Sequence, residues 1–459
     1  MGEGRGRNKS RITLMSLKKE NMEKAYSKDW YLSLFGELEG SLNGEAGSDF
    51  HRKRKEAIAV FDKLDFPTVK NEDWKFTNIS PLLNYNFAPV GADKVSLDKS
   101  NLDDYLIKRL DTINVVLING HLSRELSNID NIPAGVSIEN FGDVLHNNPQ
   151  MIEEHFSKYA KLENGFVALN TAFAHNGSVI RISDNCILEK PIHIINLNGT
   201  GDNTFVLSQP RNLIITGKNT DVKIIESYFS LNESDISFTN VVSEIVVGEN
   251  SNFELYRIQK ENHGSFQVSR TQSEQKRNSK LTIYTITTGG ALVRNDTNTV
   301  LNGEGCECHL YGLYLTNGTQ LVDNHTFMDH AKPHCLSNEL YKGILDEHSR
   351  AVFNGKVYVR KDAQKTNAYQ SNKNILLSKD VTIDTKPQLE IFADDVRCTH
   401  GTTVGQLDAD SVFYLRSRGL SKESARKVLI EAFANDIFEE IKVEPLLEKF
   451  NSLIIGKLK

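Results

Sequence analysis

The sequence predicts a mainly β fold: a parallel β-helix, or solenoid, flanked by N-terminal and C-terminal helical domains. Three observations predict it. From Phe166 to about Leu407, short strand-like runs such as SVIRISD, IHIINLN and LTIYTITT follow one another with no helix-length pattern between them. Gly, Asn, Asp and Ser break these runs at intervals of roughly 10–12 residues, which is how strands are punctuated. The Asn-Gly pairs that mark tight hairpins (Asn176-Gly177, Asn302-Gly303, Asn354-Gly355) are too few to join every pair of runs. The Asn- and Gln-rich stretch from Gln364 to Asn374 also suits stacked corners, where side-chain amides ladder from one turn to the next. No fixed-length repeat accompanies these signals.

In chain order, residues 1–20 carry six Arg or Lys and read as a flexible basic tail with no assigned function. Residues 21–165 read as a mostly helical N-terminal domain, with amphipathic stretches around Trp30–Leu38 and Ala59–Leu64 and one strand-like run, INVVLING. Residues 166–407 form the β-helix core, its first run being FVALNTAF. Residues 408–459 turn helical again. Gly419 sits where a C′ residue should, Ser421 is a natural N-cap, and Glu423 lies in the first turn. Ala425, Val428, Leu429, Ala432, Phe433, Ile437 and Ile441 form one apolar stripe, expected to pack on the domain itself or to serve as a docking platform.

Length and composition narrow the function. The chain has 459 residues, enough for two or three domains, and 39% hydrophobic residues, too many for a disordered chain. A net charge of −6 gives no global attraction for nucleic acid or anionic membrane. Five scattered cysteines do not make a secreted disulfide framework. No apolar stretch approaches the roughly 20 residues that cross a bilayer, and the basic start has no apolar signal core. The expected location is the cytoplasm.

Three groups of residues are candidates for chemistry. His325, Asp329, His330, His334 and Cys335 crowd one segment, but their spacing fits no zinc signature and Pro333 breaks any helix that would align them; a structural role is expected. Cys306 and Cys308 share one side of a strand and are expected in the core. In FADDVRCTHGTT, Val396, Cys398 and His400 share a face while Arg397 and Thr399 point away, and Gly401 is expected to loosen a strand end. A thiol and an imidazole so placed can chelate a soft or borderline metal, or act as nucleophile and base; an edge strand with incidental polar side chains is the bland alternative. Walker, GxGxxG, HExxH and GxSxG motifs are absent, so the chain itself is not expected to bind or hydrolyse nucleotide.

Longer motifs then carry a resemblance. The runs GKVYVRKDAQKTNAYQSNKNILLSKD, KPQLEIFADDVRCTHGTTVGQLD and FYLRSRGLSKESARKVLIEAF, with DNHTFMDHAKPHCLSNELYKGIL and the N-terminal EDWKFTNISPL, resemble the SufB/SufD family of iron–sulfur cluster assembly proteins. Cys398-Thr399-His400-Gly401 stand where the SufB branch tends to carry a Glu-His-Glu-Ala type sequence, so the chain is similar to the SufD branch. The resemblance implies a right-handed β-helix and a non-catalytic scaffold in a complex with SufB and the ABC-type ATPase SufC. It implies pairing with SufB through the β-helix, with His400 and the less secure Cys398 at a transient iron or cluster site on that interface. It also implies that the C-terminal helices receive SufC, with Arg416, Arg418, Arg426 and Phe433 as contacts. The rival is a stand-alone hydrolase or lyase using Cys398 and His400. Cluster type and whether the isolated chain is a monomer or a homodimer stay open.

Overall fold

The computed structural model describes residues 28–42, 47–202 and 204–457, so the basic tail lies outside the described residues. The described chain divides into two units, one holding the residues up to Ala88 with Leu162–Phe173, the other holding Pro89–Lys161 and the chain from Ala174 onward.

In the smaller unit, helices Lys28–Ser41, Asp49–Leu64 and Gly165–Ala172 surround an aromatic core. Ser48 caps the second helix by accepting the His51 N–H at 3.1 Å. Trp74 and Phe166 are both buried and stack at 5.2 Å. Phe166–Phe173, read as the first strand, is helical through Ala172. All eight residues of that helix are buried. A helix buried on every side shows no periodicity, and its composition then resembles a core strand. The available signal was Asn164, whose side chain accepts the Val167 N–H at 2.9 Å as an N-cap. Gly165 is required there, since a Cβ would lie 2.1 Å from the Asp65 carbonyl oxygen.

The larger unit is a β-solenoid of two sheets, and from Arg211–Thr216 onward successive strands alternate between them. Within each sheet the strands stack in parallel and in register, as in Phe238↔Phe266 and Leu281↔Cys308. Ile113–Ile118 pairs in parallel with Ile192–Asn198, and Val136–Asn140 pairs antiparallel with Ser178–Ile182. Strand stacking therefore begins ahead of residue 166, inside the stretch read as mostly helical. Alternate residues point inward and form columns. Leu281, Cys308, Ser337, Ala368 and Cys398 make one; Ile283, Leu310, Glu339, Gln370 and His400 make the next.

One corner of successive turns is set by left-handed residues. Asn185, Asn219, Asn250 and Asn278 have φ between 53° and 62°, and the same conformation continues at Gly305, His334 and Lys365. Asparagine tolerates this region because its short amide bonds locally. Here each amide donates to its neighbour below, with Asn219 to Asn185 at 2.8 Å, Asn250 to Asn219 at 3.3 Å and Asn278 to Asn250 at 3.2 Å, across gaps of 34, 31 and 28 residues. Those unequal gaps explain why no fixed repeat is visible in the sequence.

Helices Ala409–Ser417, Lys422–Phe438 and Glu444–Lys457 follow. Gly419 takes φ 98° and Ser421 caps the second helix through the Ser424 N–H at 3.0 Å. The last two helices cover the outer face of one sheet. Ile430, Ala434, Ile437, Phe438, Leu446, Phe450 and Ile454 pack on Ile258, Ile286, Leu313 and a ladder of stacked tyrosines, Tyr256, Tyr284 and Tyr311, with centroids 4.8 and 5.1 Å apart. The apolar stripe is thus rotated from the one read in sequence: Ile430 and Ala434 face the sheet while Val428 is exposed. A helix with apolar residues on more than one side leaves its buried face undetermined until the partner surface is known. No helix among the described residues is long and apolar enough to cross a membrane.

Two predictions follow from these contacts. Replacing Asn219 by Val removes both the left-handed tolerance and two ladder bonds, and urea unfolding is expected to show a loss of about 2 kcal/mol; Asn219→Gly should lose less than half of that. Burial pushes the carboxyls of Glu261 and Glu339 up to about 7. Between about pH 4.5 and 7 the folded state keeps protons that the unfolded chain releases, so stability falls as pH rises through this window, by on the order of 3 kcal/mol for each group. Urea midpoints at pH 5 and pH 8 should show this fall, and Glu261→Gln should remove about half of it.

Candidate functional site

The last turn consists of Thr382–Ile391 in one sheet and Arg397–Gly405 in the other, each paired on one side only among the described residues. In the turns below, inward side chains are sealed by the next rung. Here Ile383, Leu389, Val396 and Cys398 pack on the core but are only half-buried, because no further rung covers them.

Cys398 and His400 both lie on this inward face, above Ala368 and Gln370, as the alternation in the sequence predicts. Two positions along a strand place them roughly 6.6 Å apart at the backbone. His400 is exposed. Burial pushes the Cys398 thiol up, which keeps it protonated until an electrophile or cation displaces the proton. The expected strand end at Gly401 is not found: the strand runs on to Gly405, and a Cβ at Gly401 would meet nothing within 4 Å. Beside this strand a cleft of about 440 Å³ is lined by Tyr369, Gln370, Thr399 and His400, with Asp436 from the adjoining helix and Glu440 from the turn after it.

That helix, Lys422–Phe438, is fastened to the sheet by a buried lysine. The Lys342 ammonium donates to the Phe433 carbonyl at 2.5 Å and to Asp436, and lies 4.4 Å from the centre of the Phe433 ring. Lys373, one rung up, reaches the same Asp436 carboxylate at 3.4 Å. The Tyr284 hydroxyl donates to the Glu440 carbonyl at 2.9 Å.

The proposed contact residues of the C-terminal helices separate accordingly. Arg416 and Arg418 are exposed, the latter over the Tyr414 ring at 5.2 Å. Arg426 is half-buried and donates to the Leu377 carbonyl at 3.5 Å, and Phe433 packs inward under Lys342, so neither is a free surface group. The sequence reading missed the exposed apolar residues here: Phe413 (73% exposed), Tyr414 (56%) and Val428 (42%). The signal was available, since an aromatic pair in a short helix that buries none of its residues calls for a partner.

The other candidates lie apart from this site. Cys306, Cys308 and Cys335 are buried in the solenoid core. His330 shares a 2.9 Å hydrogen bond with the Ser337 hydroxyl, and burial pushes it down to about 4. His334 occupies a left-handed corner. Among the described residues no cluster of three or more His, Cys, Asp or Glu is arranged to hold a metal ion. Cys398 and His400 are one thiol and one imidazole on the same open face.

Residues 196–433 match the family model described as SUF system FeS cluster assembly, SufBD core domain, and residues 25–194 match the SufBD protein N-terminal region. The chain belongs to the SufBD family. This SufBD chain is 34% identical over 412 residues to an iron–sulfur cluster assembly SufBD family protein of Synechocystis, covering 88% of this chain and 90% of that one. It is 29% identical over 388 residues to the iron–sulfur cluster assembly protein SufD of Escherichia coli, covering 84% and 88% of the two chains. To the protein of the same name from Bacillus subtilis it is 26% identical over 422 residues, covering 88% and 93%.

The lysine latch generates a prediction within the SufBD chain itself. Lys342→Met strips the buried contact from Phe433 and Asp436 and is expected to cost about 2 kcal/mol, with hydrogen exchange accelerating in 422–438 and unchanged in the turns below 250.

Proposed function

We propose that this chain is a non-catalytic, SufD-type scaffold subunit for iron–sulfur cluster assembly, acting in a complex with SufB and the ATPase SufC. The observation that carries the reading is the open last turn. Two strands of ten and nine residues present unpaired edges, and such edges are templates for another chain. On their inward face stand one thiol and one imidazole, donors suited to ferrous iron and to a transient cluster. A second solenoid abutting this end, that of SufB, would seal the turn and contribute the missing ligands to the iron or cluster in transit.

The C-terminal helices fit the second contact. Phe413, Tyr414, Arg416, Arg418 and Val428 form the surface that SufC would cover, while Phe433 and Arg426 hold the helix to the solenoid. Closure of SufC on ATP would then pull on Lys422–Phe438 and, through Asp436, on the strands next to His400. The absence of nucleotide motifs leaves ATP chemistry to SufC. Five unbridged cysteines suit a reducing, cytoplasmic setting.

The test is co-purification with tagged SufB and SufC, followed by anaerobic iron and sulfide analysis. His400→Ala is expected to leave the complex intact and remove most of its iron and sulfide. Unchanged cluster content would reduce the chain to a structural subunit. In the same assay Phe413→Ser with Tyr414→Ser should lose SufC while retaining SufB.

A further inference from the structure

The inward column beneath His400 turns from apolar to polar as it approaches the last turn. Gln370 and Glu339 are 3% and 1% exposed and follow Leu310 and Ile283 in the same column. The Gln370 amide nitrogen donates to Glu339 Oε2 at 2.8 Å. Where Glu339 is ionised it can only accept, and this bond then fixes which end of the amide faces down. The other amide atom, Gln370 Oε1, is buried without a hydrogen-bond partner. A folded core normally pairs its buried acceptors. The opposite sheet makes room for this arrangement at Gly355, where a Cβ would stand 2.4 Å from the Gln370 amide nitrogen. The next rung above Gln370, one strand spacing of about 4.8 Å away, is His400.

We infer that Gln370, held by Glu339, is the positioning residue of His400: its carbonyl oxygen, unpartnered in this structure, is the acceptor for a ring N–H when His400 turns inward onto it, leaving the other ring nitrogen unprotonated and facing the open end. Imidazoles that ligate metals almost always donate their second N–H in this way, and the partner sets both tautomer and ring orientation. The amide suits the task because it bridges two acceptors, giving its nitrogen to the carboxylate and its oxygen to the imidazole. The inference rests on the proposed cargo role of His400 but concerns a hydrogen bond that is measurable without any cluster.

The experiment is nitrogen-15 NMR of histidine-labelled full chain, with His400→Asn to assign the ring signals. At a pH where His400 is neutral, the wild type is expected to show a single tautomer. Gln370→Leu should return it to the mixture of a free imidazole, and Gln370→Glu, which keeps an acceptor oxygen, should restore the single form. A tautomer mixture in the wild type, or a single tautomer that survives Gln370→Leu, would overturn the inference; the wild-type spectrum decides even if the leucine variant does not fold. In the complex with SufB and SufC, Gln370→Leu should weaken retention of ferrous iron by about tenfold. If His400→Ala loses iron while Gln370→Leu keeps both iron and tautomer, the inference fails and the cargo role of His400 stands.

Discussion

Parallel stacking of turns passes each turn's burial problem to the next. A strand in this solenoid has its ladder hydrogen bonds completed on one edge by the turn below and on the other by the turn above, and its inward side chains are sealed in the same way. The arrangement has no internal reason to stop. Where the stacking does stop, at Arg397–Gly405, it leaves unpaired backbone, half-covered apolar groups and two metal-capable side chains at one place. The site is a consequence of termination, with the polar ladder of Glu339 and Gln370 leading up to it.

The C-terminal helices depend on the same stack from outside. Tyrosines at equivalent positions in successive turns present a continuous aromatic face, on which Ile430, Ala434, Ile437 and Phe438 are laid. Lys342 and Lys373 converge on Asp436 and tie that helix to the two strands below the terminal one. A displacement of the helix is therefore felt one rung from His400, while the short helix before it keeps Phe413 and Tyr414 outward. On the proposed reading, an outer surface for a partner and an inner site for cargo are joined by a few contacts of one helix.

Much of this was legible in the sequence, and what was not has physical causes. Strand runs broken by Asn and Gly gave the solenoid, and simple alternation put Cys398 and His400 on one side. Phe166–Phe173 misled because a fully buried helix has no polar face to set its period. The docking residues misled because Phe433 looks like surface until Lys342, 91 residues earlier, is seen to cover it. Gln370 could not be singled out, since its neighbours in the column, Glu339 and His400, lie 31 and 30 residues away in the chain. The length of a turn varies with each corner, so no period in the sequence links such residues.

The central claim is that the open turn is the seam with a second solenoid. Hydrogen exchange of the full chain, alone and in complex with SufB and SufC, tests it most directly. The account predicts strong new protection of the amides in Thr382–Ile391 and Arg397–Gly405, together with protection around Phe413 and Tyr414. Protection confined to the helices, with both terminal strands exchanging as fast as in the free chain, would contradict it.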